Sequence, residues 1–384
     1  MKRGIQSVLL LIVLFSFTNC EKKTQHILYD SRYKKEIAEV RKQASLYLVL
    51  NNVPGATLAI SKDGKIIYSE SMGVASKDLE VPVTRKTKFR VGEIAQLFTS
   101  LMYQMMIENG TLHPDSTVQY YIPDYPISFF KGTYNKITLN QLAAHSSGIR
   151  APGGNEQKWN GRGMSLQNSI DMFMNDPLES VPGWYESSST YNYNLLGAVM
   201  EKATGKFFPE LLQEYIIDSL GLTNTQIDDP FRTIIGRTDY FDFNMVSHVV
   251  KAAFEDLRYR APSDGVLSNA EDLVNFGNAV LNSEKISKQI KEKLFVPIEL
   301  YGDFPPTMAN GWIVQKNKLG QFYYGKVGGV TGGGSVLLVL PEEQLVVAVT
   351  VNLTSTNEIP VFTLFDSFLG KIESKDQEGK NLNN

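Results

Sequence analysis

The chain has 384 residues, 42% hydrophobic and 21% charged, and its 38 Lys+Arg against 41 Asp+Glu leave a formal charge of -3. That is ordinary globular composition, long enough for a core without metal or disulfide staples, and it carries no bulk basic field for nucleic acid. One cysteine excludes an intramolecular disulfide, and 30 glycines with 16 prolines exclude collagen-like or proline-rich architecture.

Met1-Lys2-Arg3 is a short positive start, and Val8 to Phe17 is an apolar run broken only by Ser16. That length suits a signal peptide and is too short to span a bilayer. Phe17-Thr18-Asn19-Cys20 follows and resembles a bacterial lipobox, although Asn19 and Phe17 depart from its usual residues. Lipidation at Cys20 is expected. The alternative is a secretory signal with an incidental cysteine. The expected organisation is a signal peptide at 1–19, a polar tether at 20–28, one folded unit at 29–372 and a polar tail at 373–384. The expected location is the bacterial cell envelope, lipid-anchored in the periplasm or outer membrane, or secreted if the lipobox is unused.

Asp30 to Leu50 carries Ile37, Val40, Ala44, Leu46 and Leu48 at helical spacing. Gly55 to Ile60 and Lys65 to Ser69 read as strands joined by Lys62-Asp63-Gly64-Lys65, a hairpin signal. Thr87 to Val91 reads as extended, and Gly92 to Asn109 as a long apolar helix stopped by Asn109-Gly110. From Thr111 to about Asn282 the chain reads mostly as helix and loop, with helices over Thr138–Ala144, Tyr193–Ala203 and Asn269–Leu281. Asn310–Gln315, Gly320–Lys326, Ser335–Leu340 and Leu345–Asn352 read as strands, and Pro360–Ile372 as a closing helix. Strands from both chain ends would form one antiparallel sheet with the terminal helices on one face. The middle would form a second, helical lobe, and the cleft between lobes is the default ligand site.

Ordered landmarks run through this layout: Phe89-Arg90-Val91-Gly92, Tyr121-Ile122-Pro123, His145-Ser146-Ser147-Gly148, Tyr193-Asn194-Leu195-Leu196-Gly197 and Ser268-Asn269-Ala270-Glu271-Asp272-Leu273. In that order they resemble the serine β-lactamase and penicillin-binding-protein superfamily, in its class C β-lactamase-related branch, over about residues 33–368. The resemblance implies an α+β, β-lactamase/transpeptidase-like fold. Its α/β lobe would hold about 29–100 and 300–372, and its inserted helical lobe about 101–299.

Members of this family attack a carbonyl with the serine of Ser-x-x-Lys at the start of the site helix. Residues three apart share a helix face, so the lysine sits beside the hydroxyl. Here the nucleophile position is Glu93 and the lysine position is Gln96. The Tyr-x-Asn motif falls on Ser188-Ser189-Thr190, with Tyr191 close enough to be a substitute phenol. The Lys-Thr-Gly strand motif reads Lys326-Val327-Gly328, followed by Gly329. The resemblance places the two oxyanion-hole N–H groups at Glu93 and Gly329, and it sets Glu93 opposite Lys326, where an ion pair is expected, direct or through water.

The literal Ser31-Arg32-Tyr33-Lys34 lies at the first helix and reads as coincidence. Glu186 is a conceivable second carboxylate for Glu93 in glycosidase-like chemistry. His26, His113, His145 and His248 have no metal-ligand spacing, Met102, Met105 and Met106 read as core, and Gly332-Gly333-Gly334 reads as a tight bend. Trp159, Trp184 and Trp312 either line the cleft or pack the core.

Removing a serine nucleophile alone cost about 10⁶ in turnover in a serine protease. The expectation is therefore a pseudoenzyme acting in binding or scaffolding. Lys326, Gly328, Gly329, Glu93, Tyr191 and Trp184 would line a cleft for a peptidoglycan-like peptide or another acyl ligand. Other expected features are membrane attachment through a lipid anchor and no cofactor, metal or nucleic acid. The alternative is an active esterase, peptidase or β-lactamase using a displaced catalytic group.

Overall fold

Apolar alternation at both chain ends builds one sheet. The computed structural model describes residues 26–154, 156, 165–302, 305–316, 320–354 and 359–368. Cys20, Trp159 and the tail at 373–384 lie outside the described residues. Strand β1 (Ile27–Tyr29) leads through a 3₁₀ turn at Ser31–Tyr33 into helix α1 (Lys34–Leu50). Strands β2 (Gly55–Lys62) and β3 (Lys65–Ser76) form the expected Asp63-Gly64 hairpin and run longer than the sequence suggested. The short β4 (Val81–Pro82) and β5 (Phe89–Arg90) follow. A 3₁₀ turn at Gly92–Ile94 then leads into the site helix α2 (Ala95–Glu108).

The middle of the chain holds helix α3 (Val118–Tyr121), hairpin strands β6 (Ser128–Phe130) and β7 (Thr133–Asn135), α4 (Leu139–Ala143), α5 (Leu166–Asp171), α6 (Thr190–Thr204) and α7 (Phe208–Leu212). Thr138 caps α4 in a capping box with Gln141, and Gly205 ends α6 in the left-handed region at φ 71°. Strands β8 (Gln226–Ile227), β9 (Phe241–Phe243), β10 (Val249–Lys251) and β11 (Val266–Ser268) come next, then α8 (Ala270–Asn282), capped by Asn269, and α9 (Lys288–Leu294). These short strands correct the helix-and-loop reading. β11 joins β5 to β8, and β9 pairs with β10. Strands of two or three residues are too brief to show an alternation.

The C-terminal part supplies β12 (Met308–Ala309), β13 (Trp312–Lys316), β14 (Phe322–Val330), β15 (Gly333–Leu340), β16 (Leu345–Val351) and α10 (Val361–Leu364). The main sheet is antiparallel in the order β1-β3-β2-β16-β15-β14-β13-β12, with β4 added beside β3. Alternation along β15 feeds two cores. Val336 and Leu338 pack with Ile37 and Val40 of α1 and Leu364 and Phe365 at the C-terminal end. Leu337 and Val339 pack with Phe98 of α2 and Phe276 of α8. The terminal helices thus share one face, and the site helix lies on the other.

Candidate functional site

The site is formed where the turn before α2 presses against β14. Gly92 sits at φ 52°, and a Cβ there would lie 2.6 Å from the Gly329 nitrogen. A Cβ on Gly328 would lie 2.1 Å from the Val91 carbonyl oxygen. Both positions require glycine so that the two backbones can meet. Gly328 was expected to make room for a ligand; it makes room for the protein's own Val91 carbonyl, which also accepts from Ser335 Oγ at 2.6 Å.

That approach aims the Gly329 N–H at residue 93. Glu93 Oε2 accepts from it at 2.7 Å, and the Glu93 backbone N–H also hydrogen-bonds the carboxylate. The two donors assigned to the oxyanion hole therefore hold the side chain at the nucleophile position. Burial, and then the nearby Asp264 charge, push the Glu93 carboxyl above its ordinary range, while these backbone bonds oppose the shift.

Lys326 is buried on β14, and its Nζ donates to the Gly311 carbonyl at 2.9 Å. Burial pulls its pKa down to about 8, with the Glu93 charge partly opposing. Among the described residues no salt bridge joins Glu93 to Lys326, so the expected direct pair is corrected. Each charge feels the other but bonds to backbone, because the hole's N–H groups and the Gly311 carbonyl lie closer. Gly311 escaped the sequence reading, which put Asn310 in a strand. Asn310 and Gly311 are instead the two-residue turn between β12 and β13, both at positive φ. Asn-Gly between apolar runs was the available signal.

Gln96 lies one turn beyond Glu93 on α2. Its Oε1 is 3.1 Å from His145 Nε2. His145 Nδ1 accepts from the Ser189 N–H at 3.3 Å and from Asn192 Nδ2 at 3.2 Å, which leaves the ring proton on Nε2 to donate to Gln96. Burial, and then the Lys326 charge, hold the imidazole well below its usual pKa, so it is neutral at pH 7. His145 thus ties α2 to the start of α6. The Gln96 Nε2 is buried with no hydrogen-bond partner among the described residues.

The remaining candidates are placed elsewhere or do other work. Ser188 is exposed, Ser189 caps α6, and Thr190 opens that helix with a buried Oγ1 that finds no partner among the described residues. Tyr191 is no substitute phenol. It stacks on Phe173 at 4.2 Å with its hydroxyl 3.9 Å from Met172 Sδ, because the first turn of α6 faces α5 there. Trp184 is exposed beside Tyr185, and Trp312 is core, stacked on Phe276. Glu186 is not a partner for Glu93. Its carboxylate accepts from the Thr307 N–H and hydroxyl and from the Met308 N–H. Ser31 begins the turn before α1, on the opposite sheet face from α2. No group of three or more His, Cys, Asp or Glu among the described residues could hold a metal ion.

Glu93→Gln keeps an acceptor for the Gly329 N–H and removes the buried charge. The raised carboxyl makes the folded state hold its proton more tightly than the unfolded state does. Its contribution to stability is therefore present at low pH and is lost as pH rises through the folded value. The variant should therefore be more stable relative to the wild type at pH 8 than at pH 4, as read by thermal unfolding at the two pH values.

The comparisons with known proteins agree with this fold. The family described as Beta-lactamase matches residues 45–363. The human serine β-lactamase-like protein LACTB, mitochondrial, is 26% identical over 379 residues, covering 76% of this chain and 69% of that protein. Penicillin-binding protein 4* of Bacillus subtilis strain 168 is 25% identical over 279 residues, covering 68% of this chain and 60% of that protein. The octameric penicillin-binding protein homologue from Pyrococcus abyssi superposes with a TM-score of 0.76 at 23% identity, over 88% of this chain and 77% of that one.

Proposed function

This chain belongs to the β-lactamase family of serine hydrolases and penicillin-binding proteins, and from that premise we propose that it has lost serine acylation and serves as a binding or scaffolding protein of the cell envelope, lipid-anchored through Cys20. The observation that carries the reading is the Glu93 carboxylate held by the two backbone donors of the oxyanion hole. Acylation needs a hydroxyl, a base beside it and two donors free to meet a developing oxyanion. Position 93 has no hydroxyl. Position 96 is an amide whose oxygen is engaged by His145. The Gly329 N–H already meets a carboxyl oxygen at 2.7 Å, the range in which such a donor would stabilise a tetrahedral intermediate. A substrate oxyanion would have to displace that carboxylate and then sit beside it.

The cleft keeps a cation. One N–H of Lys326 goes to Gly311, leaving two for the carboxylate or carbonyl of a peptidoglycan-like peptide or another acyl ligand. Incubation with a fluorescent penicillin is expected to leave no covalent adduct on the wild-type protein. A stoichiometric mass increase that survives denaturation would overturn the reading.

A further inference from the structure

We propose that the face formed by the end of α1 and the tip of the β9–β10 hairpin rests on the membrane surface, with Val49, Leu50, Met245 and Val246 entering the lipid interface. The inference rests on Cys20 carrying the anchor. Five residues lie between Cys20 and His26, and the six Cα-to-Cα steps, at about 3.3–3.6 Å each, reach no further than roughly 22 Å. Wherever the lipid enters the bilayer, His26 must lie within that distance of it. The short tether therefore selects the side of the molecule that faces the membrane.

Pairing locates that side. β1 runs antiparallel to β3 with Ile27 opposite Glu70, and His26 Nδ1 lies 3.2 Å from Ser71 Oγ. Glu70, Met72 and Gly73 line one wall of an open groove of about 920 Å³. Leu48, Val49 and Asn52, at the end of α1, line a second wall, and Ser247, His248 and Val249 of the hairpin line a third. The adjoining cavity brings Leu50 together with Phe243 and Ser247. The chain's point of entry, the helix end and the hairpin tip thus surround one groove.

The residues that project around it are apolar. Val49 is 74% exposed and Leu50 69%, and at the hairpin tip Met245 is fully exposed and Val246 67% exposed. Leu46 and Val250 extend the patch. The tip turn is held by Asn244, whose backbone pairs with His248 and whose side chain accepts from the Val246 and His248 N–H groups, so Met245 and Val246 are presented on a defined loop. Exposed apolar side chains on two neighbouring protrusions are costly in water and favourable at a lipid interface.

The test uses the full-length lipidated protein in vesicles of phosphatidylethanolamine and phosphatidylglycerol. A thioether-linked Cys20 leaves a new cysteine as the one reactive thiol, so Met245→Cys takes an environment-sensitive fluorophore, with Tyr134→Cys on the exposed β6–β7 hairpin as control. The label at 245 should shift to the blue and be quenched by bilayer nitroxides several-fold more than the label at 134. A protein with lipid on Cys20 by mass, whose 245 label stays as water-exposed as the control, overturns the membrane face and leaves the anchor standing. A mass without lipid on Cys20 overturns the anchor and this orientation with it. A blue shift that needs no vesicles and grows with protein concentration assigns the patch to a second copy and also overturns the proposal.

Discussion

Arg90→Met should lower unfolding stability by about 3–5 kcal/mol, the usual loss when one partner of a buried ion pair is removed. Arg90 is 2% exposed; its Nε donates to Asp228 at 2.7 Å, its Nη1 to the Thr331 carbonyl at 2.8 Å and its Nη2 to the Glu255 carbonyl at 3.1 Å, with the guanidinium 3.9 Å from the Tyr240 ring. The substitution leaves the Asp228 carboxylate buried with only Arg237, 3.5 Å away, as a cation. Adding Asp228→Asn to the variant removes the stranded charge and should restore part of the loss. Urea unfolding of the wild type and both variants measures this, and a cost under about 1 kcal/mol for Arg90→Met contradicts it. The consequence extends to the site, because Arg90 on β5 directly precedes the turn that brings Glu93 to Gly329.

The second large effect is a pH dependence at Lys326. Its folded pKa of about 8 lies below the ordinary 10.5. Between those values the unfolded chain binds the proton that the folded chain has released, so stability rises with pH across that window. Below pH 8 the penalty is complete. At about 1.4 kcal/mol per pH unit it amounts to roughly 3 kcal/mol. Relative to Lys326→Met, the wild type should gain most of that amount between pH 8 and pH 10. The methionine variant also leaves the Gly311 carbonyl without its donor, a loss that does not vary with pH, so the slope is the diagnostic. Parallel stability curves for the two proteins from pH 7 to 10 would refute it.

Much of the fold was legible because its signals are local. Asp63-Gly64 marked its hairpin, Thr138 and Asn269 marked their helix starts, and the β-rich apolar run through Val336 to Leu340 marked a strand, which the fold buries on both faces. A separate set of ordered landmarks, from Phe89-Arg90-Val91-Gly92 to Ser268-Asn269-Ala270-Glu271-Asp272-Leu273, led to the family, and the residues at positions 93, 96 and 188 were evident once that order was aligned. What each of those side chains does was not legible. The partner of Glu93 is Gly329, 236 positions away, and that of Gln96 is His145, 49 positions away. A carboxylate chooses among donors by distance, and distances between remote segments exist only after the sheet has closed. The sequence therefore determined the lobes, the helix ends and which residues stand at positions 93 and 96. Tertiary structure decided that the Glu93 carboxyl would bond to backbone N–H groups instead of pairing directly with Lys326, because those groups reach it first.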